Sequence, residues 1–446
     1  MSTTLPRHYA TMSMSRSRFH TNNVTDRNKT RDRLREKSIG SLCRAGHGHR
    51  LSREARGEET GNFLNLLTAW RFSLSRENEK VNPNQSFLIF VTNTILLPNY
   101  HDKTGNKNIK GHNYLYLKEG LKVNAKSIPV LLYGGRIDKL ALNEFLGKCK
   151  QFETLRLTKF LDYRVAHFQA GFLDKEKVIA LEKLRYYYTE FGDLYPDEST
   201  RYVQSVFVRY VQGTTAIEGN TISPQEAREL LEHDISPAGK KVSEVYEILN
   251  FVRLRDFLKT YTGDVSEKLG KTMHAILMEN LMRAPGEYRQ IHVAIEKVGY
   301  EPPPAILVPD QMKELVSWYR ANAKRLHPFE LAILLHARFE LVHPFSDGNG
   351  RVGRALMNII LERAGYPTIY LGLSQRKNYL DAITPADDGD FVPIVSMLSS
   401  TYLDQHKGVV RQVMEATAAA RKSAKIERLL KEFTRLKKDY AKNSGT

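Results

Sequence analysis

At 446 residues, with 41% hydrophobic and 26% charged residues, the chain has room for two domains and the composition of an ordinary globular protein. The longest apolar stretch, Phe87 to Leu97, is broken by Thr92, Asn93 and Thr94 and is too short for a bilayer; no apolar secretory core follows the basic start, so a cytoplasmic setting without membrane contact is expected. Cys43 and Cys149 are too few for a disulfide framework or a zinc site, and most of the net charge of +17 sits at the ends, with 13 basic against 6 acidic residues in 1–60 and 10 against 4 in 411–446.

Residues 1–60 are rich in Arg, Ser, Thr and Gly and poor in large apolar side chains, so a disordered basic segment is expected there. Its first 25 residues lack acids, a faint likeness to a transit peptide, and Met12 and Met14 are alternative starts of translation. Residues 61–155 read as a small α+β region of unassigned role. It has a helix near Phe63–Phe72, strands at Phe87–Phe90 and Pro129–Tyr133, and glycines such as Gly134 and Gly135 as punctuation.

From about 156 to 240 the pattern is helical. Ser223-Pro224-Gln225-Glu226 spells a capping box with proline at the first helical position, opening a helix through Leu231. A core region follows over 241–405. Ser243 is the expected cap of a helix carrying Val245, Ile248, Leu249 and Val252, and Leu269, Met273, Ile276 and Leu277 mark another. Ile291, Val293 and Ile295 alternate with His292 and Ala294 as a short strand, and Pro302-Pro303-Pro304 forbids regular structure. A helix from Pro328 leads through Leu331, Leu334, Leu335 and Val342 into His343; the next runs from about Asn349 to Ala364 and stops at Gly365. Residues 406–446 close the chain as a basic helix with Ile426, Leu429, Leu430, Phe433 and Leu436 on one face.

The segment between the two core helices carries the chemistry. Gly348 and Gly350 remove side chains at a helix N-terminus, whose free N–H groups attract anions. Arg351 and Arg354, three apart, can clamp phosphate oxygens from one side. Asp347 offers one carboxylate, the usual protein share of a magnesium ion otherwise held by phosphates and water. His343 is the side chain best suited to accept a proton near neutral pH. Each residue alone is ordinary turn chemistry; twelve residues combining all of them are not. No Gly-x-x-x-x-Gly-Lys-[Ser/Thr] phosphate loop occurs.

His343-Pro344-Phe345-Ser346-Asp347-Gly348-Asn349-Gly350-Arg351-Val352-Gly353-Arg354 resembles, without departure, the signature of the Fic family of protein adenylyltransferases. The likeness covers roughly 200–400 and takes in Pro285-Gly286-Glu287-Tyr288-Arg289, and Arg376, Tyr379 and Gly389-Asp390 beyond the loop. It implies a mainly α fold: a helical Fic-type core with a β-hairpin flap, preceded by the α+β region and the disordered N-terminus. By position, His343 would be the base for a Ser, Thr or Tyr hydroxyl of a target protein. Asp347 would hold Mg2+, with Mn2+ as the alternative ion. Gly348, Asn349, Gly350, Arg351, Arg354 and Tyr379 would bind ATP. Val293, Ala294 and Ile295 would form the flap that aligns the target.

Thr214-Thr215-Ala216-Ile217-Glu218-Gly219-Asn220 is similar to the inhibitory helix of the subclass that carries it N-terminal to the Fic core. The likeness implies that Glu218 pairs with Arg354 and displaces the γ-phosphate of ATP, with Thr214 in the other defining place. AMP transfer to a protein, including the enzyme itself, is therefore the expected activity, and Glu218 is equally placed to assist AMP removal. The alternatives are transfer of phosphate or phosphocholine on the same fold, and a nucleic-acid-binding regulator with a vestigial loop. No nucleic-acid motif accompanies the basic ends, so a nucleic-acid partner is not expected, and a homodimer is left open.

Overall fold

The computed structural model describes residues 104–109, 112–123, 126–292 and 301–419, and positions 431, 433–435, 437–439 and 441–442. The basic segment 1–60, the helix expected at Phe63–Phe72, the strand at Phe87–Phe90 and the flap residues Val293, Ala294 and Ile295 lie outside the described residues.

The described chain opens with strands β1 (Thr104–Ile109), β2 (His112–Val123) and β3 (Lys126–Arg136), an antiparallel sheet in the order β1-β2-β3. Alternation in β2 sends Leu115, Leu117, Leu121 and Val123 inward, to meet Val130 of β3. Gly134 and Gly135, expected to end structure, lie inside β3. The register slips between Leu115 and Tyr116, and Gly135 takes φ +121°, which a side chain at that position would resist.

Helix α1 (Leu142–His167) packs Phe145, Phe152 and Phe160 onto the inner face of the sheet, and α2 (Lys175–Leu194) adds Tyr186 to the same core. The boundary expected at 155 therefore falls inside one continuous helix. Phe433 joins this core too, its ring stacked 4.5 Å from that of Phe145. The C-terminal segment thus returns to the sheet, although only Phe433 of its expected apolar face lies among residues whose side chains are described.

Helix α3 (Pro196–Ile217) buries the stripe Val206, Tyr210, Gly213, Ile217 and ends at Glu218. Helix α4 (Pro224–His233) starts with the capping box read from sequence: the Glu226 N–H donates to Ser223 Oγ, and the Ser223 N–H donates to Glu226 Oε2 at 2.8 Å. Helix α5 (Val242–Thr260) differs. Its N-cap position is Lys241, not Ser243, because Glu244 in the first turn accepts the Lys241 N–H and satisfies the helix start from within.

Helix α6 (Glu267–Leu277) is capped by Ser266. Helix α7 (Val308–Asn322) follows the prolines. Helices α8 (Pro328–Val342) and α9 (Asn349–Arg363) form the centre, with every residue from Pro328 to Ala337 buried. Helix α10 (Arg376–Ile383) and the long α11 (Val392–Ala419) cover them, and α11 runs through the boundary expected at 405. Among the described residues no helix is long and apolar enough to cross a membrane.

One buried cluster ties the early helices to this centre. Arg164 of α1 pairs with Glu182 of α2 at 2.8 Å with both side chains shielded from water. Tyr366, just past α9, donates to Glu182 at 2.8 Å, and His327, just before α8, lies 3.1 Å from it. Burial pushes the Glu182 carboxyl up, but its His327 and Arg164 contacts outweigh burial and hold it well below the usual range. A depressed folded value means stability that is present above the unfolded value of 4.5 and lost as pH falls. Glu182→Gln, which removes the carboxylate charge paired with Arg164, should cost ~3 kcal/mol in denaturant unfolding at pH 7 and flatten the acid limb of the stability curve.

Candidate active site

Helix α8 ends at His343, whose φ of +47° turns the chain into the loop while its N–H still donates to Phe339 O. Phe345 is fully buried and stacks on His274 of α6, with centroids 3.8 Å apart. Asn349 then closes the loop on itself: Oδ1 accepts the Phe345 N–H at 2.9 Å and Nδ2 donates to Phe345 O at 2.8 Å. Asn349 was expected among the residues that cradle phosphate, and its side-chain amide is spent on the loop backbone. Gly348 takes φ +78°, and a Cβ there would sit 2.6 Å from the Met278 sulfur.

His274, missed in the sequence, fixes the loop from the other side. Its Nδ1 accepts the Gly286 N–H at 2.7 Å, so its own proton sits on Nε2 and bonds Asp347 O at 3.0 Å. Burial lowers its pKa to about 4, keeping the ring neutral and this pattern fixed. Arg289 braces the loop too, donating from its backbone to Pro344 O and from Nε to His343 O at 2.8 Å.

The two arginines are both occupied. Arg354, 3% exposed, donates through Nε to Thr214 Oγ1 at 2.8 Å, through Nη2 to Thr214 O at 3.1 Å, and to Glu218 Oε1 at 2.6 Å. Burial would lower its pKa, but Glu218 holds it above the usual value. Gly350 allows this approach, since a Cβ there would crowd Glu218 and lie 2.7 Å from Arg354 Nη1. Arg351 pairs with Glu247 of α5 and with Asp347 Oδ1, each at 3.2 Å. Glu247 also accepts Asn220 Nδ2 at 2.8 Å, so the turn after Glu218 reaches the loop by a second route.

Asp347 keeps its side chain 68% exposed, with Oδ1 bound to Gly348 N–H and Arg351. Tyr379, expected on the nucleotide, is buried behind Arg354: its ring centroid is 5.9 Å from the guanidinium and its hydroxyl 2.7 Å from His336 Nε2. Arg376 donates to Ile217 O at 2.8 Å, capping the C-terminal end of α3 next to Glu218. His343 remains 20% exposed on its side chain, and burial with the nearby Arg289 charge lowers its pKa to about 4.

The Fic/DOC family model matches residues 264–361, so this part of the chain is similar to that family. Among named proteins the chain is 29% identical over 237 residues to the protein adenylyltransferase fic-1 of Caenorhabditis briggsae, covering 50% of this chain and 45% of that one. Against the Caenorhabditis elegans protein of the same name the identity is 30% over 231 residues, covering 50% and 44%. The protein adenylyltransferase Fic of Aedes aegypti gives 30% over 214 residues, covering 44% and 40%. The chain thus spans less than half the length of these relatives. A Fic domain-containing signaling protein of Bacteroides thetaiotaomicron superposes on 53% of this chain and 97% of its own at TM-score 0.48 and 23% identity.

Glu247 and His274 gave no local sequence pattern, and only their long-range contacts reveal them; Arg289 closes the stretch Pro285–Arg289 of the family likeness, but its bracing role comes from its contacts with the loop. The Asn349 bracket yields a direct test of loop construction. Asn349→Ala leaves the buried Phe345 N–H and C=O unpaired and should cost ~2–4 kcal/mol, read as a fall in Tm of the unliganded chain. An unchanged Tm would show that the loop is held otherwise.

Proposed function

We propose that this chain transfers AMP from ATP to a hydroxyl side chain of a protein and that Glu218 holds this activity down. The carrying observation is the 2.6 Å ion pair between Glu218 and Arg354, made inside a loop with every residue of the Fic signature. His343 takes the hydroxyl proton as the oxygen bonds to the α-phosphorus. The bond from the α-phosphorus to the bridging oxygen breaks, and pyrophosphate leaves. The first-turn N–H groups of α9 and the glycines would face the phosphates, with Arg351 and Arg354 neutralising charge.

The donor set suits a hard divalent cation. Asp347 is exposed, one of its oxygens is steadied by Gly348 and Arg351, and no group of three metal-ligating side chains surrounds it among the described residues. A single carboxylate is what Mg2+ needs when phosphates and water fill its other positions. The ion would supply charge neutralisation at the leaving phosphates.

At rest Arg351 and Arg354 already face Glu247, Asp347 and Glu218. A triphosphate has to displace Glu218 to reach Arg354, and the carboxylate also repels it. Glu218→Gly should raise incorporation of labelled AMP into target or self at least tenfold. His343→Ala in that background should remove ~10²–10⁴ of the rate, the usual share of a general base. Phosphate in place of AMP on the modified protein, read by mass, would overturn the assignment. Equal incorporation by wild type and Glu218→Gly would overturn the inhibition.

A further inference from the structure

At the loop end of α8 Glu340 Oε1 is buried with no hydrogen-bond partner, and the buried His336 Nδ1 and His343 Nδ1 meet only the backbone at Gly353 and Glu340, short of a well-formed hydrogen bond. Their residues stand at i, i+4 and i+7, so they share one helix face. Glu340 Oε1 lies 3.8 Å from His336 Nδ1, and Glu340 Oε2 lies 3.9 Å from His343 Nδ1. These gaps exceed a hydrogen bond by about 1 Å, so a small closure satisfies one ring nitrogen and the carboxyl together.

The neighbouring helix is shaped around this carboxyl. A Cβ at Gly353 of α9 would lie 2.6 Å from Glu340 Oε1 and 2.7 Å from His336 Nδ1, so this third glycine of the segment makes room for Glu340. The charged and titratable groups acting on the cluster are Arg354 and Glu218 from α9 and α3, Tyr379 from α10 through His336, and Arg289 and the loop's Asp347 at His343. The side chain of Glu340 is 19% exposed, but Oε1 is closed off from water.

We propose that Glu340 is the positioning carboxylate of the catalytic base: it accepts a hydrogen bond from Nδ1–H of His343, leaving the Nε2 lone pair for the target hydroxyl. The inference rests on the AMP-transfer reading for its catalytic meaning. During transfer the hydroxyl proton moves to Nε2, the Nδ1 proton stays bonded to Glu340, and the carboxylate balances the imidazolium. His336 competes for the same carboxyl through Oε1. Its contact with Tyr379 connects that competition to Arg354 and hence to the Glu218 clamp. Burial, helped by the Arg289 charge at His343 and opposed by Arg354 at Glu340, sets the two partners wrongly for neutral pH, with His343 near 4 and Glu340 pushed up to about 8. Pairing corrects both, because each charged form stabilises the other.

The test uses the full chain carrying Glu218→Gly, with ¹⁵N-labelled histidine and His343→Ala to assign the His343 signal. Glu340→Gln should lower the His343 pKa by at least one unit, since the imidazolium loses its counter-charge. In labelled-AMP assays kcat should fall ~10–100-fold, as when the partner of a working histidine is removed, while KM for ATP stays within twofold. The rise of kcat with pH through the neutral range should flatten in this variant. Glu340→Met should be as slow while unfolding at the same or a higher temperature, which separates positioning from mere structure. An unchanged His343 titration in Glu340→Gln, or a kcat and pH profile that superpose on the parent, overturns the pairing. If the parent transfers no AMP yet the titration shifts, the pairing stands and the AMP-transfer reading falls.

Discussion

A guanidinium almost closed off from water has to be answered by a carboxylate, and Arg354 is answered by Glu218. That requirement sets the relation of α3 to α9. Thr214 and Glu218 stand one turn apart on α3, so the arginine is gripped by a hydroxyl, a backbone carbonyl and a carboxylate in one line. Gly213, one residue earlier, lets the Leu371 backbone pass closer than any side chain would allow, and Arg376 caps the end of the same helix. Tyr379 backs the guanidinium from behind. Much of what surrounds the clamp is thus fitted to one buried charge.

The loop is built before any ligand arrives. Asn349 brackets Phe345, His274 holds Asp347 and the backbone at Gly286, and Arg289 takes the carbonyl of His343. Donors fixed in place need no rearrangement as charge develops, which is where phosphoryl-type transfer gains most of its rate. The occupied arginines act oppositely. On the proposed AMP-transfer reading, Glu218 and Glu247 would compete with a triphosphate for the two arginines they now pair with.

Local patterns were legible where a local rule sufficed. The capping box at Ser223, the stop at Gly365 and the helices flanking His343 are each written in adjacent residues. Ser243 failed as a cap because Glu244 satisfies the Lys241 N–H from inside the helix. Gly134 and Gly135 read as a break, yet pairing with β2 absorbed them into a strand through a slipped register. The boundaries expected at 155 and 405 fall inside α1 and α11, which run on because burial against the sheet and the core helices gives no reason to stop there.

By itself the sequence determined the chemistry of residues 343–354 and the candidate partner of its last arginine, because a base, a carboxylate, two glycines and two arginines within twelve positions are bound by chain connectivity to lie together. Only the tertiary structure decided which of those groups hold the loop together and which stay exposed. Asn349 and Tyr379 turn inward, Glu247 and His274 arrive from distant helices, and Glu340 fills the space that Gly353 leaves open. Those assignments depend on which helix packs against which, and packing is a sum of many weak long-range contacts that no short stretch of sequence encodes.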